Sequence, residues 1–250
     1  MSLGIRLIRS TFVLMSFAIF GIGAIFLNFV VFPMAKHFLK DRNLLCFYSD
    51  VIHYTWKFFI EILIFFKIIK LNITDIEKIK QIKQKIIVAT HPSFIDILIL
   101  IALIPRTTCI VKYSLSKNPI LFNLVNSIFI MEDESLENLK EHTKEMIDNG
   151  FNIVIFPMGI RHRRNEFPKI KKGAATIAMN ANCNIVALKY YTDFDFLFIN
   201  QPVYEAGEKT VTYDLSYVEE IDVKSMLQNS ENEIVVKKNI TKMITSSLYQ

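Results

Sequence analysis

The stretch KIIVATHPSFIDILILIALI, Lys85 to Ile104, constrains the fold more than any other part of the chain. Its first six residues, KIIVAT, are rich in β-branched side chains and read as a short buried strand. Its last eight, Ile97 to Ile104, form an unbroken apolar run that suits a helix packed on a sheet. HPSFID, His91 to Asp96, joins the two. A polar pair set where a strand ends and a helix begins lies at the rim of an α/β sheet, where such sheets usually keep their chemistry.

In a continuous helix His91 and Asp96 would be about 140° out of phase and could not touch. They meet only if His91 precedes the first turn and Asp96 lies inside it. Pro92 supports that arrangement, because proline suits a first helical turn, where its missing N–H costs nothing. Asp96 can then bond one imidazole nitrogen and leave the other facing the cleft, which is the base-and-orienter pair that activates a hydroxyl. Two plainer readings compete. Ser93-x-x-Asp96 matches a capping box, and His91 could be a buried histidine with its hydrogen bonds satisfied.

Beyond this stretch the pattern is α/β. Short apolar, β-branched runs recur at 107–112, 128–131, 152–156 and 185–190, with helix-like segments at 94–104, 118–127, 134–149 and 172–181 between them. Such alternation predicts a largely parallel sheet flanked by helices. After residue 193 the chain reads as strands, FDFLFI and TVTYDLSYV, and closes with a helical tail from about 223.

The N-terminus is different in kind. Between Arg9 and Lys36 no residue is charged, and those 26 positions are mostly Phe, Ile, Leu, Val and Ala. About 20 apolar residues cross a bilayer core, so a span or a re-entrant helix both fit; Gly21, Gly23 and Pro33 are places for it to bend. A second helix is expected from about Asn43 to Ile69, with Trp56 and its tyrosines suited to the interfacial zone or to packing on the globular part. The expected organisation is therefore membrane-anchoring helices over 1–69 and an α/β domain over 70–250. Hydrophobic residues make up 52% of the 250, too many for an ordinary soluble enzyme and too few for a polytopic transporter.

Net charge is +5, with 29 Lys and Arg against 24 acids. Part of the excess clusters at Lys78, Lys80, Lys83 and Lys85, and again from Arg161 to Lys172. Basic clusters on an apolar protein suit anionic lipid head groups, although ordinary solvated lysines fit the first cluster equally well. No nucleic-acid motif accompanies the charge. Cys46, Cys109 and Cys183 are odd in number and widely spaced, which fits free thiols in a reducing compartment and gives no metal spacing.

HPSFID after a strand resembles the first motif of the glycerolipid acyltransferases, the lysophosphatidic acid acyltransferase family. Further matches follow in the family's order over roughly residues 85–190. Lys112, Leu115 and Pro119 in VKYSLSKNP resemble a K-x2-L-x3-P segment, and IFI at 128–130 is like the strand of the second motif. FPMGIR, Phe156 to Arg161, resembles FPEGTR of the third, and 171–188 resembles the approach to the fourth.

The resemblance implies an acyltransferase at the cytoplasmic face of a membrane, as in a bacterial inner membrane. It would move a fatty acyl chain from an acyl carrier protein or coenzyme A thioester to a lysophospholipid hydroxyl, with no further cofactor and no metal. His91 becomes the general base and Asp96 its partner. Lys112, Gly159 and Arg161 become the head-group site, supplemented by the basic residues His162, Arg163 and Arg164 if these are not merely a solvated loop.

The departures fall on the acceptor side. Met158 and Ile160 stand where the family has glutamate and threonine, Met131 and Glu132 follow the second-motif strand, and Asn184 and Ala187 replace prolines. An acceptor other than a glycerophosphate, or a degenerate lipid-binding protein of the same fold, are the alternatives.

Overall fold

The computed structural model describes residues 3–119, 121–132, 135–163, 166–198, 200–202, 204–205, 207–230 and 232–249. Three helices come first: α1 (Leu3–Phe26), α2 (Phe32–Phe38) and α3 (Asp41–Phe65). The α/β part then runs β1 (Ile69–Thr74), α4 (Ile76–Lys80), β2 (Ile86–Ala89), α5 (Asp96–Leu103), β3 (Thr107–Val111), α6 (Phe122–Ile128) and β4 (Ile130–Met131). It continues with α7 (Leu136–Asp148), β5 (Asn152–Ile155), α8 (Gly173–Asn180), β6 (Ile185–Thr192), β7 (Val211–Ile221), α9 (Val223–Gln228) and α10 (Glu233–Tyr249).

One seven-stranded sheet has the order β1-β7-β6-β2-β5-β3-β4. All pairs are parallel except β6 with β7. The alternation of side chains along each strand divides the interior into two layers. Ile87 and Ala89 of β2, Val154 of β5 and Val186 and Leu188 of β6 face a layer built with α3, α5 and α6. Ile86 and Val88, Ile153, and Ile185 and Ala187 face the opposite layer, built with α7, α8 and α10. A strand covered on both sides must be apolar at every position, which is why KIIVAT reads as an unbroken run rather than an alternating one.

The N-terminal helices join the first layer. Phe17 and Phe20 pack on Phe59 of α3, with ring centroids 5.2 and 4.5 Å apart. From Gly4 to Phe38 the helix is long and apolar enough to cross a membrane, and only 28% of its most apolar window is buried. Its composition suits association with a membrane. The departure from α-helical geometry falls at neither glycine: a π-helical turn at Leu27–Val31 precedes Pro33, the place where a helix must rearrange to spare the proline ring a clash with the carbonyl four residues back.

Three expectations are corrected. The second helix stops at Phe65, where Lys67 adopts a left-handed conformation (φ 53°), and the next residues form β1 beside β7. FDFLFI is a series of turns, with Leu197 and Asn200 also left-handed (φ 55° and 63°); Phe196 and Leu197 are buried there, and Ile199 lies outside the described residues. Pro92 lies in the loop before α5, which opens only at Asp96. The first lysine cluster is mostly neutralised: Lys78 pairs with Asp75 (3.1 Å), Lys80 with Glu77 (3.2 Å), and Lys85 with Glu220.

Candidate active site

Strands β2 and β5 are parallel neighbours, so the segments leaving their C-terminal ends emerge side by side. His91 follows β2 and Phe156 follows β5, and their rings stack with centroids 3.9 Å apart and planes 11° from parallel. First and third motif are thus in van der Waals contact, although 65 residues separate the two rings.

Asp96 is completely buried and His91 17% exposed. His91 Nδ1 lies 3.0 Å from Asp96 Oδ2, and the Ser93 amide donates to the same oxygen at 2.7 Å. The carboxylate therefore closes the 93–96 turn and holds the imidazole at once, so the capping and orienting readings describe one arrangement. Asp96 Oδ1 is buried with no partner among the described residues. Burial pushes the Asp96 carboxyl above the usual carboxylate range, against the His91 hydrogen bond and charge and the Ser93 amide. An ionised Asp96 needs a donor at Nδ1, which leaves Nε2 as the basic nitrogen.

Three further side chains support this pair: Tyr190 and Thr90, which the sequence did not single out, and His162, which it offered only as part of a basic loop. The Tyr190 hydroxyl donates to the Asp96 carbonyl at 2.9 Å, fixing the first residue of α5. Thr90 donates to the Tyr190 carbonyl at 3.1 Å and accepts from its amide at 2.7 Å, which carries the link between β2 and β6 past the strand end. His162 is the third. Its amide donates to the His91 carbonyl (3.1 Å), and the His91 amide approaches His162 Nε2 at 3.4 Å. His162 Nδ1 lies 3.1 Å from the Arg163 carbonyl, so an Nδ1–H tautomer satisfies both contacts. Only 5% exposed, His162 is turned to the main chain of His91 rather than presented at the rim. Its one sequence signal was its place beside the third motif, where HRR read as a basic loop. Arg163 lies over the Phe198 ring at 5.4 Å, and Arg164 lies outside the described residues.

The remaining candidates are spread along the rim. Arg161 is half-buried and donates to the Leu197 carbonyl at 2.8 Å; burial lowers the pKa of its guanidinium, and the Asp96 charge opposes that shift. Gly159 has φ +76°, a conformation that favours glycine, and the flexible Lys171 side chain crosses directly over it, its Nζ 2.6 Å from where a Cβ would lie. Met158 is buried in the second layer and Ile160 is 57% exposed. Lys112 follows β3, two strands from β2 and hence about 10 Å along the sheet; it is exposed and shares a separate pocket with Tyr113, Lys117 and Glu132. Contacts therefore bring together His91, Asp96 and the third-motif loop, but not Lys112.

Beside the 91–96 loop the first layer is hollow. An apolar cavity of about 390 Å³ is lined by Phe94, Ile97 and Leu98 from the loop and α5, Gly23 and Ala24 from α1, and Trp56 and Phe59 from α3. Trp56 stacks on Phe129 across the far wall, with centroids 5.8 Å apart.

Comparison with known proteins agrees with this architecture. The model of the family described as Acyltransferase matches residues 70–191, a span that holds β2, β5 and both loops of the site. Over those residues, just under half of the chain, the sequence resembles the Acyltransferase family. A Mycoplasma genitalium protein named "Probable 1-acyl-sn-glycerol-3-phosphate acyltransferase" is 27% identical over 158 residues, 58% of this chain and 59% of that one. A 1-acyl-sn-glycerol-3-phosphate acyltransferase of Cocos nucifera is 24% identical over 115 residues, 42% of this chain and 36% of its own. The chain thus spans between 36% and 59% of the length of the curated relatives it matches. The crystal structure of the 1-acyl-sn-glycerophosphate (LPA) acyltransferase from Thermotoga maritima superposes with a TM-score of 0.68 over 97% of both chains at 15% identity, a likeness of fold.

Proposed function

We propose that the protein transfers a fatty acyl group from an acyl thioester to the hydroxyl of a lysophospholipid such as 1-acyl-glycerol-3-phosphate. The observation that carries this reading is His91, held through Nδ1 by a buried carboxylate at 3.0 Å, beside an apolar cavity walled by the same loop. Nε2 takes the proton of the acceptor hydroxyl while that oxygen attacks the thioester carbonyl carbon. The C–S bond breaks, and the departing thiolate receives the proton from the imidazolium. Asp96 stabilises the imidazolium in between and keeps the ring in one tautomer. No covalent acyl-enzyme and no cofactor enters these steps.

The cavity takes the acyl chain, and the head group lies over the third-motif loop. There Arg161 offers a charge-assisted grip on phosphate, Gly159 lets the backbone come close, and Lys112 contributes charge from farther along the rim. With Met158 turned into the core and Ile160 exposed, this loop presents fewer polar groups than FPEGTR. That favours, as a second reading, an acceptor hydroxyl on a lipid other than a glycerophosphate.

The long N-terminal helix is tied to the domain at two places. Arg9 donates to the carbonyls of Lys67 and Lys209, and Asn28 bonds the 119–124 segment through both its side chain and its main chain. Those two residues are about 28 Å apart along a helix, close to the thickness of a bilayer core. A helix fastened to one domain at both ends lies along it and dips its exposed side into one leaflet, the cytoplasmic one. The test is direct: supply labelled acyl thioesters and a panel of lysolipids to the purified protein and to His91→Ala. The intact protein acylates at least one acceptor and the variant does not. Absence of transfer by the intact protein would end the enzyme reading, and equal rates would end the role of His91.

A further inference from the structure

The third-motif loop leads into a groove of about 790 Å³ between residues 167–172 and α10. Five lysines line it: Lys169, Lys171 and Lys172 on one wall, Lys238 and Lys242 on the other, all exposed. None has a carboxylate partner among the described residues, in contrast to Lys78, Lys80 and Lys85. The groove is built rather than incidental. The Tyr249 hydroxyl donates to the Pro168 carbonyl at 2.6 Å, and its ring meets Phe167 edge-on at 5.3 Å, so the end of α10 is fastened to the opposite wall. Phe167 nevertheless remains 66% exposed at that seam.

Position argues against a lipid partner. Val236, Ile240, Ile244 and Leu248 seat α10 on the second layer, across the sheet from α1 and α3. The groove therefore faces away from the apolar helix, while staying connected to the site. Lys171 reaches over Gly159, and Phe167 and Tyr249 also wall a small cleft floored by Thr90, Pro92 and His162. Chemistry argues for a protein. A single phosphate is best held by converging or forked donors, whereas these lysines are hydrated point charges spread along two walls, the pair on α10 about 6 Å apart along the axis. Spread charge steers and orients an acidic surface, and one exposed aromatic residue supplies an apolar anchor at its edge.

We propose that this groove docks an acidic protein, the carrier that presents the acyl group as a thioester. This rests on the acyl-transfer reading above and selects a protein carrier as the donor. The probe is acyl carrier protein, titrated against the full chain in detergent micelles, with transfer rates measured in parallel from its thioester and from the coenzyme A thioester. Binding weakens as salt rises. The Lys169→Glu/Lys238→Glu/Lys242→Glu variant loses about ten-fold or more in carrier affinity and in kcat/KM from the carrier thioester, while kcat/KM from the coenzyme A thioester stays within about two-fold. That retained activity also shows that the variant folds; if the triple reversal does not fold, Lys238→Ala/Lys242→Ala carries the same comparison at about three-fold. Unchanged carrier affinity, equal loss with both donors, or loss of binding only to vesicles of anionic phospholipid would each overturn the proposal. Carrier binding that is lost in the reversal variant, with no acyl transfer by the parent from either thioester, would end the function proposed above while supporting the groove.

Discussion

The two layers that cover the sheet leave very different things unfilled. On the side of α1, α3 and α5 the gap is an apolar cavity; on the side of α8 and α10 it is a lysine-lined groove. Both end near one short stretch of rim, where Phe94 and Leu98 wall the first and Lys171 arches over Gly159 at the end of the second. On the functions proposed above, the apolar gap takes the acyl chain and the charged one takes the carrier that delivers it. The contrast teaches that the sheet itself is the partition between them, and that His91 stands at its edge because β2 is central and ends there.

Substitutions can break this contrast or sharpen it. The largest effect belongs to the shared point. His91→Ala should lower kcat by about 10²–10⁴-fold, as loss of a general base does, with every donor and acceptor alike; a loss confined to one substrate would place His91 on one side only. Asp96→Asn should lower kcat by about 10²-fold or more while raising stability. The sign follows from the raised folded-state pKa: the contribution of Asp96 to stability is fully present below the ordinary carboxylate pKa and is lost as pH rises through the raised value. The variant should therefore melt about 2–4 °C above the parent at pH 8, a difference that closes near pH 4. A lower Tm at pH 8 would show that the charged carboxylate contributes more through Ser93 and His91 than its burial costs.

Arg161→Ala should raise the KM of the acceptor about ten-fold, the scale of a lost charge-assisted hydrogen bond, and leave the KM of the donor nearly unchanged. Equal loss on both would instead point to the bond with Leu197 and a disordered 194–198 segment. The smallest effect is expected inside the cavity. Ala24→Phe should shift the preference between long and short acyl chains by about three-fold or more toward the short, within the range that one or two methylenes command in a hydrophobic pocket. It should leave salt dependence untouched. An unaltered chain-length profile would remove the cavity as the acyl site.

Much of this was legible before any coordinates. The apolar run of KIIVAT, the helix after Asp96 and the order of the motifs announced a parallel sheet with its chemistry at the strand ends, because periodicity and apolar runs are local properties. Errors came where a local pattern was ambiguous. Ile62 to Phe66 is unbroken apolar sequence, so nothing before Lys67 marked the end of α3, and FDFLFI is as apolar and aromatic as a strand although left-handed residues carry the chain there. His162 read as one more member of a basic loop, since neither its burial nor its partner is encoded beside it.

By itself, then, the sequence determined the class of fold, the His91–Asp96 pair and the two apolar helices at the N-terminus. A five-residue separation with Ser93 and Pro92 inside it can close only a few kinds of turn. Tertiary structure alone decided that Phe156 stacks on His91, that His162 holds its backbone, and that the cavity and the lysine groove lie on opposite sides. These depend on which strands pair and which helices cover each face, and parallel pairing of β2 with β5 brings together residues whose separation along the chain carries no sign of contact.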